Sequence, residues 1–330
     1  MAGMLLIALA SGEQLPPTTA ELVAAGQRLT RELSLGTPTV LLAGRNVQAL
    51  ATNVGGLGVE HVLLAESSAP QPASPEWLMA AAETAVRQVD PDVVLLTHAP
   101  ASRELAAALA YKLDTGLVTD CTALRPEGGE LVLTKPVYGG SAIAEYSISS
   151  RPRIATLRPR AFDVGEDGAA AAAGAQPRLE ALSVPEPEGA IQVLEEMREQ
   201  AASGPSLKDS RVVVSGGRGL GGPENWHYIE ELAQVLGAAV GATRAVTDAG
   251  WVPTSLQVGL TGVTIAPDLY ITVGISGAVQ HIAGISGARN VVAINRDADA
   301  NIFKYARYGV VGDWKQILPA FTERLKELRG

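Results

Sequence analysis

The segment Leu269–His281 has the sequence LYITVGISGAVQH, and its pattern decides the fold. The apolar run LYITV lacks period-2 alternation, which is typical of a strand buried on both faces of a parallel sheet. The turn GISG follows at once, and a helix is predicted from about Ala278, with Ser276 as its N-cap. A buried strand that leads through a tight turn into a helix predicts an α/β domain.

The same strand and helix order is repeated on both sides of this segment. Strands are predicted at Arg211–Ser215, Asn290–Asn295 and Tyr308–Gly312, with a helix at Asn225–Leu236 and a last helix up to the C-terminus. Ligands of open α/β sheets bind at the carboxyl ends of the strands. The Gly, Ser, Asn and Asp residues that follow these strands are therefore the candidates for a binding site.

The N-terminal half has the same architecture. Four apolar runs predict buried strands, at Leu5–Ala10, Thr39–Ala43, His61–Ala65 and Val93–Leu96. Helices are predicted between and after them, at Ala20–Leu33, Val47–Leu57, Glu76–Gln88 and Ser102–Leu113. Asp90-Pro91 ends the third helix, and Ser102 is the predicted N-cap of the fourth. This order predicts a parallel sheet with helices on both faces.

The middle of the chain has a different pattern. Short β-type runs occur at Leu131–Thr134, Ala142–Ile148 and Ile154–Leu157. The stretch Asp163–Gly189 is rich in Ala, Gly, Glu and Pro, which predicts a solvated loop. A helical or extended piece is expected at Ile191–Gln200.

We place a domain boundary at Ser203-Gly204-Pro205, just after that piece. The predicted fold has two α/β domains, residues 1–205 and 206–330, each a mainly parallel sheet with flanking helices. The second is expected to be a Rossmann-like, cofactor-binding domain.

Composition argues against several functions. The 330 residues have a formal net charge of −9, which gives no support for binding to nucleic acid or anionic membranes. The single cysteine, Cys121, excludes an intramolecular disulfide and favours a cytoplasmic, bacterial location. No charged region precedes Leu5–Leu9, so no signal peptide is predicted. The uncharged stretch Leu269–Ala288 contains glycines, Gln280 and His281, which indicates a protein core rather than a membrane span.

The first candidate site is Ser215–Gly222, SGGRGLGG, which contains Gly-x-Gly-x-x-Gly after a predicted strand. Such glycines let a backbone approach a pyrophosphate in dinucleotide-binding folds. The spacing alone is equally consistent with a tight turn, and no acidic residue is well placed at a second strand end. Arg218 favours the first interpretation, because a cation within a glycine-rich turn indicates an anion nearby.

The second candidate site is the turn at Ser276 and the helix after it. The amides of the turn and the helix dipole favour an anion. His281 lies in the first turns of this helix, where it is either a neutral hydrogen-bonding imidazole or an ordinary helix residue. Arg244, in a segment of small residues, is either a solvated arginine or a cation over a redox ring.

The chain lacks Gly-x-x-x-x-Gly-Lys-Ser/Thr, His-Glu-x-x-His and Gly-x-Ser-x-Gly motifs. Its four histidines are widely spread, which argues against a metal cluster.

Five segments together resemble the α subunit of electron transfer flavoprotein: Val212–Gly219, Gly241–Arg244, Pro267–His281, Val291–Asn295 and Tyr308–Asp313. They span nearly all of the second half, and the first half is similar in rhythm and length. The resemblance implies a heterodimer in which the N-terminal domain contacts a β subunit. It also implies one FAD held mainly by the C-terminal domain, and AMP in the β subunit. It implies an electron carrier rather than an enzyme, supplied by acyl-CoA dehydrogenases and related flavin dehydrogenases, which delivers electrons to a membrane quinone reductase.

The resemblance also assigns the residues that contact FAD. Arg244 is expected over the isoalloxazine ring, Thr261 near its N5 and His281 near its O2. The whole set is Arg218, Thr243, Arg244, Val258, Gly259, Thr261, Ser276, Gly277, Ala278, Val279, Gln280, His281, Asn295, Asp313 and Trp314, of which Asn295, Asp313 and Trp314 are expected at the adenosine end.

Two positions depart from the family pattern. Thr243 stands where Ser is usual and keeps the hydroxyl. Leu260 stands where Gln is common, so one hydrogen bond to the cofactor is expected to be missing.

Reduced flavin carries negative charge near N1 and O2. A buried Arg244 and a hydrogen-bonding His281 are therefore expected to raise its potential.

Two other functions stay open at this point. One is an NAD-dependent dehydrogenase that uses Gly217–Gly222 as its fingerprint, although a general acid/base constellation is missing. The other is a purely structural nucleotide-binding module.

Overall fold

A computed structural model of the chain describes residues 3–10, 14–67, 73–140, 142–164, 177–185, 205–208 and 210–329. The chain divides into two compact units, Met1–Val137 with Ile143–Met197, and Tyr138–Ala142 with Arg198–Gly330. The predicted segment Ile191–Gln200 and the boundary residues Ser203-Gly204 lie outside the described residues. The limits 1–205 and 206–330 therefore stay a prediction.

The first unit is built on a parallel sheet. Its strands in chain order are β1 Gly3–Ala10, β2 Thr39–Gly44, β3 His61–Glu66, β4 Pro91–Thr97, β5 Leu117–Cys121, β6 Ala123–Glu127, β7 Glu130–Val137, β8 Ala142–Tyr146, β9 Arg153–Leu157 and β10 Arg178–Ala181. Over the part of the chain that is described, seven of them pair in parallel in the order β10-β3-β2-β1-β4-β9-β5, and β6, β7 and β8 form a small second sheet.

Helices cover both faces of the parallel sheet, as predicted. They are α1 Thr18–Glu32, α2 Val47–Gly55, α3 Pro75–Val89 and α4 Pro100–Lys112. Helices α1 and α2 pack on the face to which Leu6 of β1 points, and α3 and α4 pack on the face of its neighbours Leu5 and Ile7. Adjacent strand residues point to opposite faces, so every position of a doubly covered strand is buried and the run stays apolar.

Two predictions for this unit are wrong. Helix α4 begins at Pro100 after the N-cap Ala99, and Ser102 is buried within its first turn, because proline at the first helical position sets the start. The stretch Asp163–Gly189 is not loop throughout, since Arg178–Ala181 forms β10 parallel to β3. Strand β10 lies at the edge of the sheet and has few apolar residues, so its sequence lacks a strand signal.

The second unit is a doubly wound domain. Its strands are β11 Val212–Gly216, β12 Ala239–Ala242, β13 Leu269–Val273, β14 Val291–Asn295 and β15 Tyr308–Val311, and its helices are α5 His227–Leu236, α6 Arg244–Thr247, α7 Val279–Ile285 and α8 Trp314–Arg329. All strand pairs are parallel. Helices α5 and α8 pack on one face of the sheet and α7 on the other. No helix among residues with a described placement is long and apolar enough to span a bilayer.

The strand order of this unit is β12-β11-β13-β14-β15. Numbered within the unit, this is the order 2-1-3-4-5, one of the two common doubly wound arrangements, and it differs from the 3-2-1-4-5-6 order of dinucleotide-binding Rossmann domains. The order reverses between β11 and β13. Ligands of such sheets bind outside the carboxyl ends of the strands at this switch point. Gly217 and Gly274 directly follow β11 and β13 there.

Candidate functional site

A cavity of about 680 Å³ opens at the switch point of the second unit. Its volume is within the range of small-molecule and cofactor sites. The turns after β11, β12, β13 and β14 surround it, together with the loop between α6 and β13. Its lining residues are Gly217, Arg218, Gly219, Thr243, Arg244, Ala245, Asp248, Gln257, Val258, Gly259, Leu260, Thr261, Gly274, Ile275, Ser276, Ala278, Gln280, His281, Asn295, Arg296 and Asp297.

Most of the predicted cofactor contacts meet in this cavity. Those that line it are Arg218, Thr243, Arg244, Val258, Gly259, Thr261, Ser276, Ala278, Gln280, His281 and Asn295. Those outside the lining are Gly277, Val279, Asp313 and Trp314. Asp297 also lines the cavity, as expected of a polar residue that follows a predicted strand. Lining residues that the sequence did not single out include Gln257 and Asp248, because neither belongs to a glycine-rich turn or a recognised motif.

The glycines of the Gly-x-Gly-x-x-Gly motif pack against another turn. The amide of Gly217 donates to Val273 O at 2.9 Å, and that of Gly219 donates to Gly274 O at 3.0 Å. A Cβ at Gly217 would lie 2.3 Å from Gly274 O, and one at Gly219 would lie 2.7 Å from it. These glycines are thus required by the contact between two turns. Their bonded amides do not support the dinucleotide fingerprint of the dehydrogenase hypothesis.

Asp313 and Trp314 support the site from behind. Trp314 is buried in the core of the unit, and its indole Nε1 donates to Gly219 O at 3.2 Å. Asp313 directly precedes helix α8, and its Oδ1 accepts a hydrogen bond from the amide of Lys315 at 3.0 Å. Their predicted contact with the adenosine end of a cofactor stays a prediction.

The turn before α7 is held rigidly. Asn301 Nδ2 donates to Gly277 O at 2.7 Å, and the amide of Ile302 donates to Ser276 O at 3.0 Å. Gly277 has a φ of +81°, and a Cβ there would lie 2.3 Å from the Ile302 nitrogen. Ser276 is not the N-cap as predicted, because the helix begins at Val279 after Ala278. Its side chain is exposed and lines the cavity instead.

The loop Val258–Thr261 is fixed against helix α7. The amide of Leu260 donates to Gln280 O at 2.8 Å, and that of Val258 donates to Ala242 O at 2.8 Å. A Cβ at Gly284 would lie 2.4 Å from Gly259 Cα, so helix and loop touch backbone to backbone. Leu260 lines this cavity and is 66% exposed, so an apolar side chain faces the ligand space at this position.

His281 is buried in the wall of the cavity, with 6% of its surface exposed. Its Nδ1 lies 3.1 Å from Val258 O, and its Nε2 lies 3.0 Å from the hydroxyl of Tyr270. A carbonyl oxygen only accepts, so Nδ1 carries the proton and Tyr270 donates to Nε2. Burial lowers the pKa of His281 to about 4, and the bond to Val258 only partly opposes this. The imidazole is therefore neutral near pH 7, as predicted, with both nitrogens bonded inside the protein.

Arg244 lies at the start of the short helix α6, which Thr243 precedes as N-cap. Its side chain is 68% exposed, and its Nε donates to Asp248 Oδ2 at 3.1 Å. The prediction of a buried Arg244 is therefore wrong for this chain by itself, because the first residue of a short surface helix leaves its side chain in solvent. The guanidinium still lines the cavity.

Gln257 is a buried polar residue of the cavity wall, 7% exposed. Its Oε1 accepts from the hydroxyl of Thr247 at 2.8 Å, and its Nε2 donates to the hydroxyl of Thr261 at 3.0 Å. The sequence shows Gln257 only as a single polar residue between Leu256 and Val258. An isolated glutamine does not predict a place in a binding site, so its position in the cavity wall was not expected.

The donors of the cavity suit an anionic ligand. Three arginines line it, Arg218, Arg244 and Arg296, against the two carboxylates of Asp248 and Asp297. Hydroxyl groups of threonine and serine add neutral donors. Among the residues that are described, no group of three His, Cys, Asp or Glu side chains is arranged to hold a metal ion. The residues present therefore fit a phosphate-bearing organic cofactor of the kind the sequence predicts.

Both parts of the chain match known protein families. Residues 4–187 match the family described as Electron transfer flavoprotein domain, and residues 206–286 match the one described as Electron transfer flavoprotein FAD-binding domain. The second match includes the turn after β11, the loop Val258–Thr261 and the helix that carries His281.

Curated relatives are similar over nearly the whole chain. Electron transfer flavoprotein subunit alpha of Bacillus subtilis (strain 168) is 37% identical over 316 residues, which cover 96% of this chain and 94% of that protein. The subunit of the same name from Paracoccus denitrificans is 36% identical over 338 residues, covering 98% of this chain and 100% of that protein. Protein FixB of Bradyrhizobium diazoefficiens is 35% identical, covering 94% and 84%.

Proposed function

Because this chain belongs to the electron transfer flavoprotein α-subunit family, we propose that it holds FAD in the cavity of its second unit and serves as an electron carrier. The observation that carries the proposal is the convergence of the predicted contacts, from Arg218 to Asn295, on one cavity at the switch point. One family match, residues 4–187, lies almost entirely in the first unit and the other, residues 206–286, lies in the second, so the proposal concerns both units.

The side chains of the cavity have separable tasks in this proposal. Bound FAD supplies an isoalloxazine ring that takes up and releases electrons. Arg218 and Arg296 would attract the phosphates, and Arg244 would close over the ring from the mouth of the cavity. Thr243, Thr261 and Ser276 would offer hydroxyls, and the turn Ser276–Gln280 would follow the chain of the ligand.

Charge stabilisation in this site falls mainly to Arg244. Negative charge that develops on a reduced ring is stabilised by a fixed cation more strongly than by a neutral group. His281 is neutral, and both of its nitrogens are bonded to Tyr270 and Val258. We therefore assign to His281 the shape and dipole of the cavity wall and to Arg244 the charge.

The partners of this carrier are part of the proposal. We infer a heterodimer with an electron transfer flavoprotein β subunit, which would bind AMP. Acyl-CoA dehydrogenases and related flavin dehydrogenases would supply the electrons, and a membrane quinone reductase would accept them. A mobile carrier needs no substrate turnover of its own.

Co-expression with a candidate β subunit tests the proposal. The purified complex should be yellow, contain FAD, and lose its flavin absorbance when an acyl-CoA dehydrogenase and its acyl-CoA substrate are added. The β subunit expressed alone is the control for flavin that belongs to the partner. A colourless complex that takes up no FAD, or one that instead shifts the fluorescence of NADH, would overturn the proposal.

A further inference from the structure

Gln257 lies between two threonines in the wall of the cavity and forms one continuous chain with them. The Thr247 hydroxyl donates to Gln257 Oε1 at 2.8 Å, and Gln257 Nε2 donates to Thr261 Oγ1 at 3.0 Å. Thr247 and Gln257 are buried, whereas Thr261 is exposed to the cavity. The chain of bonds therefore begins inside the protein and ends at a hydroxyl that faces the ligand space.

The direction of these bonds decides what Thr261 offers. A hydroxyl has one hydrogen and two lone pairs. The amide of Gln257 occupies one lone pair of Thr261 and leaves its hydrogen unused. A ligand atom that accepts hydrogen bonds can therefore be met by this hydroxyl, whose oxygen is already held in place.

Backbone hydrogen bonds hold Gln257 in place within this chain of side-chain hydrogen bonds. The amide of Val263 donates to Gln257 O at 2.7 Å, and that of Gln257 donates to Thr254 O at 3.0 Å. Thr247 is fixed from its own side as well, because its single hydroxyl hydrogen is shared between Gln257 Oε1 and Arg244 O, the latter at 3.0 Å. Gln257 is therefore held at both its backbone and its amide oxygen, and only the Nε2 end is directed towards the cavity.

We propose that Gln257 is a positioning residue that makes the Thr261 hydroxyl a hydrogen-bond donor towards the ring of the bound flavin. The proposal rests on the proposed function, since it assigns FAD to this cavity. Gln257 acts through Thr261 and not by its own contact with the cofactor. The buried amide of Gln257 has a hydrogen-bond partner at its oxygen and at its nitrogen. Removing the amide therefore removes the hydrogen bond that orients the Thr261 hydroxyl, even if the volume of the side chain is kept.

A double-mutant cycle in the heterodimer tests the proposal, with FAD affinity measured by titration of flavin fluorescence. Gln257→Met keeps the size of the side chain and removes its amide. We expect it to weaken FAD binding about 3- to 10-fold, the effect of one lost hydrogen bond. In a Thr261→Val background the same change should have no further effect, because the hydroxyl that it orients is already absent.

Two further variants separate positioning from stability. Thr247→Val removes the donor to Gln257 Oε1 and should weaken FAD binding in the same direction, again only when Thr261 is present. Thr322→Val is the matched control, because Thr322 is a buried threonine of α8 that donates to Leu318 O at 2.8 Å and does not line the cavity. It should lower the melting temperature and leave FAD affinity unchanged.

The flavin midpoint potential gives an independent readout of the same cycle. Gln257→Met should shift it in the Thr261 protein and leave it unchanged in the Thr261→Val protein. Equal effects of Gln257→Met in both backgrounds, or none in either, would overturn the positioning role while FAD binding itself stands. A wild-type heterodimer that binds no FAD would overturn the proposed function and this inference together.

Discussion

At the scale of single residues, the environment of His281 fixes the protonation state of its imidazole. It is buried beside Tyr270, with both ring nitrogens bonded inside the protein. Such a site excludes a second ring proton, because a protonated imidazole would lose the bond that Nε2 accepts. A neutral imidazole at the flavin would keep its form throughout the physiological pH range.

The pKa of about 4 for His281 leads to a prediction on stability. The unfolded chain binds a proton at this group near pH 6.5, and the folded chain does not. The contribution of His281 to the free energy of unfolding is therefore fully present above pH 6.5. It is lost as the pH falls from 6.5 towards 4, by roughly 3 kcal/mol in total. The ring carbon resonance of His281 in an NMR titration should not move between pH 8 and 5. A titration midpoint near 6.5 would contradict the buried, neutral form.

Arg244 leads to a second prediction at this scale. Its exposed guanidinium lines the cavity and pairs with Asp248, so a bound anion competes for a cation that is already in place. Arg244→Ala should weaken FAD binding about 10-fold, or lower the flavin potential, and Arg244→Lys should keep part of the effect because it keeps the charge. Flavin titration and potentiometry measure both.

A matched arginine controls for the loss of a surface charge. Arg324 in α8 is also 68% exposed and pairs with Glu327 at 2.6 Å, outside the cavity. Arg324→Ala should leave FAD affinity and potential unchanged. If Arg244→Ala behaves like Arg324→Ala, the role assigned to Arg244 fails.

At the scale of elements, the contact between α7 and the loop Val258–Thr261 shapes the cavity. Gly284 is the second-last residue of α7, and alanine in place of glycine ordinarily stabilises a helix by up to about 1 kcal/mol. In this protein a methyl group at Gly284 would lie 2.4 Å from Gly259 Cα and would push the loop away. Gly284→Ala should therefore weaken FAD binding, although helix propensity alone predicts a more stable protein.

Ala283→Gly is the control in the neighbouring position of the same helix. It should lower the stability by the propensity difference and change FAD affinity little, because it adds no atom against the loop. Thermal unfolding and FAD titration of both variants distinguish the two effects. Tight binding by Gly284→Ala would show that the loop can move without cost.

Most elements were predictable because both faces of their sheets are covered. The strand Leu269–Val273 was predicted to the residue, since doubly buried strands have an apolar run and a clear turn after it. The strands Arg178–Ala181 and Ala239–Ala242 lie at sheet edges and are short, so no such run marks them. Burial on both faces strengthens the local signal for a strand, although the short, exposed edge strand Tyr308–Val311 was also predicted.

The cavity was predictable to the extent that turns mark it. Ser276 follows from topology, because it lies in the turn after a predicted strand, and His281 lies in the helix predicted after that turn. The family resemblance supplied Thr243 and Thr261. The sequence could not show that Tyr270 and Gln257 lie beneath these residues. Their partners are distant or irregularly spaced in the chain, and only the fold brings them together.

At the scale of the whole molecule, local and total charge are opposed. The chain has a net charge of −9, yet three arginines and two aspartates line the cavity. The excess of positive charge at this cavity therefore contrasts with the negative total charge of the chain, which supports the proposed binding of an anionic cofactor there. A negative surface also keeps a carrier from non-specific contact with anionic membranes and nucleic acids.

Each unit has its own hydrophobic cores, which lie on both faces of its sheet. A ligand that binds one folded unit stabilises that unit by mass action. FAD at 100 times its dissociation constant would add about 2.7 kcal/mol to the unit that contains β11 to β15. Amides there that exchange through opening of the whole unit should exchange up to about 100-fold more slowly.

Hydrogen exchange of the heterodimer, followed by mass spectrometry with and without FAD, measures this difference along the chain. We expect protection in peptides from β11 to β14 and from α7, and none in peptides from β1 to β4. The Gly284→Ala protein at the same FAD concentration should show less protection, because its cavity is displaced. Equal protection in both units would mean that they open together. The cofactor would then stabilise the entire chain and not only the unit that holds it.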